Sequence, residues 1–111
     1  MKLQLTLTVS GSGPAYVFHF IEALRDAALA LGFSEEQARL LAIETVVGAA
    51  ALAADSTEDV TVLRQRVTSK GGTTEAALNS LNADDFKAAI LRAVRAAEAR
   101  GRELGELLGK D

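Results

Sequence analysis

The chain has no cysteine and no tryptophan, a single proline at Pro14 and a single histidine at His19. The missing thiols exclude disulfide frameworks and thiolate zinc sites, and they make a reducing cytoplasmic setting the default expectation. One histidine cannot seed a multi-histidine metal centre or a triad built on a second one, so no metal is expected; His19, beside apolar residues, is read as a partly buried structural histidine. One tyrosine and four phenylalanines supply no stacking platform, and the net charge of −3 comes from interspersed signs. Neither pattern marks a nucleic-acid partner. Fully apolar runs such as Val46 to Ala54, itself broken by Gly48, fall short of the ~18 to 20 residues of a membrane span, and no basic-led signal segment opens the chain. A soluble protein without a membrane partner is therefore expected.

What is present is apolar helix. Residues of the AVILMFWYC set make up 49% of the 111, enough for one globular domain but more than a chain of this size buries easily by itself. Exposed apolar surplus favours self-association. Leu3, Leu5, Leu7 and Val9 alternate with Lys2, Gln4, Thr6 and Thr8, the period of a half-buried strand, so residues 1–9 are expected to form an extended or β arm. Residues 10–111 read as a helical domain of about five to six helices.

Ser10 to Pro14 breaks the strand pattern, and a helix capped by Ser12 or Gly13 is predicted to run to Leu31 and stop at Gly32. Its inner face is Val17, Phe20, Ile21, Leu24, Ala28 and Leu31. Ser34 and Gln37 have the spacing of a capping box and open a second helix that fades near Asp55. Ser56 to Asp59 offers a third start, for a short helix ended by Gly71-Gly72. Thr73 or Thr74 caps a fourth helix, and Asn82 to Asp85 caps a long last one. In that helix Ala89, Ala93 and Ala97 form a small-residue seam suited to close helix approach.

Thr68 to Thr74 carries the chemistry. Two glycines and several hydroxyls lead directly into a helix N-terminus, where unpaired N–H groups and the positive dipole end can hold a carboxylate or phosphate. The same residues also make an ordinary helix-to-helix turn. The lysine precedes the glycines, so the stretch is no Walker loop.

In order and spacing, Val67-Thr68-Ser69, Gly71-Gly72-Thr73-Thr74, Ala77-Leu78 and Leu81-Asn82 resemble the signature of pyrroline-5-carboxylate reductases. Ser10 to Phe18, with Ile21 to Leu24, is similar to the opening of that family's C-terminal domain, and Gly48 to Ala50 and Arg102 to Leu104 are similar as well. The resemblance covers roughly residues 8 to 105.

It implies an all-α domain that interleaves with a second copy. The homodimer carries the substrate loop, and association of dimers is left open. In the whole enzyme it implies that NAD(P)H delivers hydride to the imine carbon of 1-pyrroline-5-carboxylate, giving L-proline. Carried over by position, Ser69 and the N–H groups of Gly71, Gly72, Thr73 and Thr74 would hold the substrate carboxylate, and the Thr74 hydroxyl would stand near the ring nitrogen as the catalytic group. Lys70 stands where many members of the resembled family carry proline, and Val60 where that family usually has it.

These residues hold no dinucleotide fingerprint, since Gly11-x-Gly13 lacks a third glycine and a βαβ unit. No cofactor is expected in this chain, which alone would be inactive in hydride transfer while keeping weak affinity for proline or 1-pyrroline-5-carboxylate. The alternative is a helical homodimer scaffold with no ligand. Residues 1–9 read less like the family's interdomain segment than like a fresh start, as in an excised or re-engineered domain.

Overall fold

In the computed structural model Val9 and residues 11–108 are described, and they form five α-helices. These are α1 (Ser12–Ala30), α2 (Glu35–Asp55), α3 (Val60–Arg66), α4 (Thr73–Ala83) and α5 (Phe86–Leu108). The all-α class expected from the helical periodicity is what is found. The expected arm at 1–9 lies outside the described residues except for Val9, which with Gly11 stands in a wide helical turn ahead of α1.

The helix ends follow from specific side chains. Ser12 and Gly13 are inside α1 rather than capping it, and Pro14 is third in the helix, where its missing N–H has no intrahelical acceptor to lose. At the other end Gly32 takes φ +102°, its N–H bonds the Leu29 carbonyl at 3.0 Å, and the Phe33 N–H bonds the Ala28 carbonyl at 3.2 Å. This is the paired Schellman arrangement that lets glycine end a helix. The Gln37 N–H donates to Ser34 Oγ at 3.2 Å while Ser34 N–H donates to Gln37 Oε1 at 3.1 Å, completing the expected capping box.

Asp59 caps α3, with Oδ2 accepting from the Thr61 N–H at 3.0 Å. Hydrogen bonding from the Thr61 side chain, then from its backbone amide, holds the Asp59 carboxyl below its ordinary value. The helix stops at Arg66, ahead of the expected Gly71-Gly72 stop. Its last carbonyls are already taken: Thr68 Oγ1 donates to the Arg64 carbonyl at 2.6 Å and the Thr68 N–H to the Gln65 carbonyl at 3.1 Å. Asn82 and Ala83 belong to α4. The turn into α5 is made at Asp85, a non-glycine residue at φ +55°, whose carbonyl accepts from the Ala89 N–H at 2.8 Å.

The chain divides into two compact units, Val17–Ala76 and Met1–Tyr16 with Ala77–Asp111. In the first, the buried apolar residues are Ala38, fully covered, and Ala42, 3% exposed. Ile21, Leu24 and Ala28 of α1, Ile43, Val46 and Ala53 of α2, and Val62 and Leu63 of α3 are half-buried. In the second, no described residue is buried, and Leu78, Ala88, Val94, Ala97 and Gly101 are half-buried. Ala89 and Ala93 of the expected small-residue seam are exposed.

Large apolar side chains on α1 and α2 stay open to solvent, among them Phe18 at 65%, Val47 at 61% and Leu52 at 67%. At 21 residues and a mean hydropathy of 1.4 over its most apolar window, α2 is long and apolar enough to cross a membrane by length and composition, although no fully apolar run reaches that length. Glu44 stands near its midpoint, where a charge costs on the order of 3 kcal/mol in a bilayer.

Candidate functional site

Ser69 to Gly72 is a tight turn. The Gly72 N–H donates to the Ser69 carbonyl at 3.0 Å, and Gly71, in the third position, takes φ +77°. Positive φ at that position defines a type II turn and selects glycine. Gly72 is selected differently: a Cβ there would lie 3.2 Å from the Ser69 carbonyl oxygen. The two glycines thus have separate reasons, one torsional and one steric.

The turn delivers the chain directly into α4. Thr73 and Thr74 are the first two helical residues and not its caps, and the Gly72 carbonyl accepts from the Ala76 N–H at 3.2 Å. A glycine before the helix offers no side-chain oxygen. The N–H groups of Thr73, Thr74 and Glu75 therefore find no acceptor among the described residues, and neither do the hydroxyls of Ser69, Thr73 and Thr74. Thr74 is half-buried, whereas Ser69 and Thr73 are exposed.

The glycine amides are placed differently from the threonine amides. Gly72 N–H closes the turn, and Gly71 N–H donates to Glu75 Oε1 at 3.0 Å. The residues singled out in the sequence are thus brought together in one loop, with two of their amides engaged within the chain. The reach of Glu75 back to Gly71 was not anticipated, although an acidic residue in the first turn is itself an ordinary dipole signal.

Several ion pairs form within single elements or adjoining turns. Arg66 bonds Glu58, and on α5 Arg102 bonds Glu98, whose carboxyl is lowered chiefly by that hydrogen bond. Arg100 meets Glu103 at 3.2 Å. His19 corrects an expectation: its side chain is 89% exposed, with Nδ1 at 3.3 Å from Glu22 Oε1, so it is not a partly buried histidine. Among the described residues no group of three or more His, Asp or Glu side chains gathers to hold a metal ion.

Tyr16 has a buried hydroxyl without a hydrogen-bond partner among the described residues. Such an orphan costs about 1–3 kcal/mol. Hollows of roughly 390 Å³ beside Arg25, Asp26, Leu29, Glu35 and Arg39, and roughly 370 Å³ beside Arg100, Glu103, Glu106 and Leu107, do not include the glycine loop.

Helices that leave large apolar faces uncovered, together with a glycine turn that opens α4 without a side-chain cap, mark a helical domain of the self-associating class. The chain belongs to the pyrroline-5-carboxylate reductase family, matching that family's dimerisation domain over residues 2–104. The match reaches back to residue 2 and so includes most of the opening segment, correcting the reading of that segment as foreign to the family.

The chain is 45% identical over 109 residues to a pyrroline-5-carboxylate reductase of Pseudomonas aeruginosa, covering 98% of this chain and 40% of that protein. The Arabidopsis thaliana enzyme is 46% identical over 98 residues, covering 88% and 36%. The structure of the Coxiella burnetii reductase superposes with a TM-score of 0.89 at 44% identity, over 93% of this chain and 38% of that one. The Plasmodium falciparum enzyme, solved with NADP bound, gives 0.89 at 35% identity, over 93% and 39%. The chain thus spans about two fifths of the length of these relatives.

Proposed function

We propose that residues 10–111 act as one dimerisation and substrate-binding domain, with 1–9 as its leading arm, in a reductase that uses NAD(P)H to convert 1-pyrroline-5-carboxylate to L-proline. The observation that carries this reading is the Ser69 to Thr74 turn, held by two glycines with separate structural reasons and opening α4 without a side-chain cap. The N–H groups of Thr73 and Thr74 and the hydroxyl of Ser69 are available to a carboxylate, and the half-buried Thr74 hydroxyl is the group assigned to the ring nitrogen. Gly71 and Gly72 join the binding set through their amides if the ligand redirects their present bonds.

The chemistry asked of these residues is orientation. A protonated imine accepts hydride readily once its carbon is held against a nicotinamide, so fixing the carboxylate at one end of the ring supplies much of the acceleration. The NAD(P)H would be held by residues other than these, because no glycine fingerprint for a dinucleotide occurs among them.

Self-association follows from the uncovered faces of α1, α2 and α5. Size-exclusion chromatography with light scattering is expected to give a homodimer at micromolar concentration, and a monomer there would sink the assembly reading. Titration with L-proline, followed by NMR at Gly71 to Thr74, tests the ligand reading. The 111-residue chain is expected to show no NADPH oxidation with 1-pyrroline-5-carboxylate.

One observation favours a second reading, a scaffold without ligand. The Gly71 and Gly72 amides already have acceptors within the chain. A proline titration that moves no signal in the loop selects this reading.

A further inference from the structure

We infer that Glu75 is an internal competitor for the substrate's carboxylate, occupying the Gly71 amide until an incoming carboxylate displaces it. The inference rests on the carboxylate-binding reading of the loop. It starts from the bond that complicates that reading: the amide assigned to a ligand carboxylate already donates to a carboxylate of the same chain, at 3.0 Å.

Glu75 is an occupant of the loop and not its builder. The turn is closed without it by the Gly72 N–H to Ser69 carbonyl bond and is shaped by Gly71 at φ +77°. The direction of the Gly71 amide is therefore set by backbone, and it persists when the glutamate swings away. Glu75 has three side-chain torsions and a reach of one helical turn, so leaving the amide requires only rotamer changes.

Electrostatics makes the exclusion mutual. The start of α4 combines unpaired amides with the positive end of the helix dipole, which favours one anion. Two carboxylates within the same turn repel, and the repulsion is stronger beside half-buried residues such as Thr74 and Glu75 than in bulk water. A ligand carboxylate can take Gly71 only as Glu75 withdraws. Ligand affinity is then reduced by the fraction of time the amide is engaged internally. The device also discriminates: a carboxylate competes for a charge-assisted bond, whereas a neutral amide at the same position makes a bond about half as strong and leaves Glu75 in place.

Glu75→Gln separates charge from shape. The glutamine oxygen can still accept from Gly71 N–H, but without charge it is the weaker competitor and repels no anion. L-proline, followed by amide shifts of Gly71 to Thr74 in the 111-residue chain, is expected to bind E75Q about tenfold more tightly than the unsubstituted chain. L-prolinamide, lacking the carboxylate, is expected to show no such gain. Equal or weaker binding of L-proline to E75Q, with clear binding to the unsubstituted chain, overturns the competitor role and leaves the carboxylate reading standing.

Silence in the loop for both proteins overturns the carboxylate reading, and the competitor role with it. A measurement on the unsubstituted chain decides the matter even if E75Q folds poorly. The side-chain carboxyl carbon of Glu75 is expected to shift with the same midpoint as the Gly71 amide, and a stationary Glu75 signal while Gly71 moves overturns the displacement.

Discussion

Lys70 holds the second position of a turn whose third residue is Gly71 at φ +77°, and its N–H makes no hydrogen bond among the described residues. Proline is the residue such a position prefers, because its ring fixes φ near the required value and the unused N–H is not missed. This accounts for the proline that the family resemblance leads one to expect there. Val60, the other such departure, is the first residue of α3, where proline is also favoured. Lys70→Pro should raise unfolding stability by about 0.4–1 kcal/mol in urea titrations.

Asp59 gives a pH prediction. Its folded carboxyl titrates below the ordinary aspartate value, so the stabilisation from its cap is present above the unfolded value and is lost as pH falls through the folded one. Asp59→Asn keeps a capping oxygen but no charge. The thermal midpoint of the unsubstituted chain should exceed that of D59N at pH 6, and the difference should vanish as the carboxyl becomes protonated. A difference independent of pH would contradict the assignment. At this scale the residue types of the candidate site stood out in the sequence, because two glycines and several hydroxyls lead straight into a helix start, although the same types also build an ordinary turn. The Glu75 to Gly71 bond did not, because it depends on which way one peptide plane faces.

Helix boundaries show which local signals dominate. The Ser34 and Gln37 box and the Gly32 stop were legible, since each is a reciprocal or steric requirement confined to a few neighbouring residues. The end of α3 was not, because Gly71-Gly72 is the louder signal, while the Thr68 hydroxyl that captures the Arg64 carbonyl looks in sequence like any loop threonine. Threonines 73 and 74 similarly read as caps, yet the glycine before them takes that position and leaves the first turn open. Ser34→Ala removes one half of the box and should cost about 1 kcal/mol, measured by chemical denaturation. Asp85 sits at φ +55°, a conformation that asparagine tolerates and a β-branched residue does not. Asp85→Val should destabilise by about 1–3 kcal/mol, whereas Asp85→Asn should be close to neutral.

For the molecule as a whole, the decisive feature is how little is covered. Burying a leucine, valine or phenylalanine contributes about 1.5–3 kcal/mol, and most such side chains here remain open. The excess of apolar composition announced this, but which faces stay bare depended on packing that periodicity alone does not resolve. Ala89 and Ala93, for example, are exposed. Val47→Asp and Leu52→Asp, each on an exposed part of α2, should shift light scattering from dimer toward monomer and lower the thermal midpoint together. If both variants stay dimeric, α2 is not at the interface.

An interior whose buried apolar residues, among those described, are two alanines implies that folding and meeting a partner are one event. Dilution then acts as a denaturant: the melting temperature should climb with protomer concentration, and a chain newly released from the ribosome should be safest where its own copies are abundant.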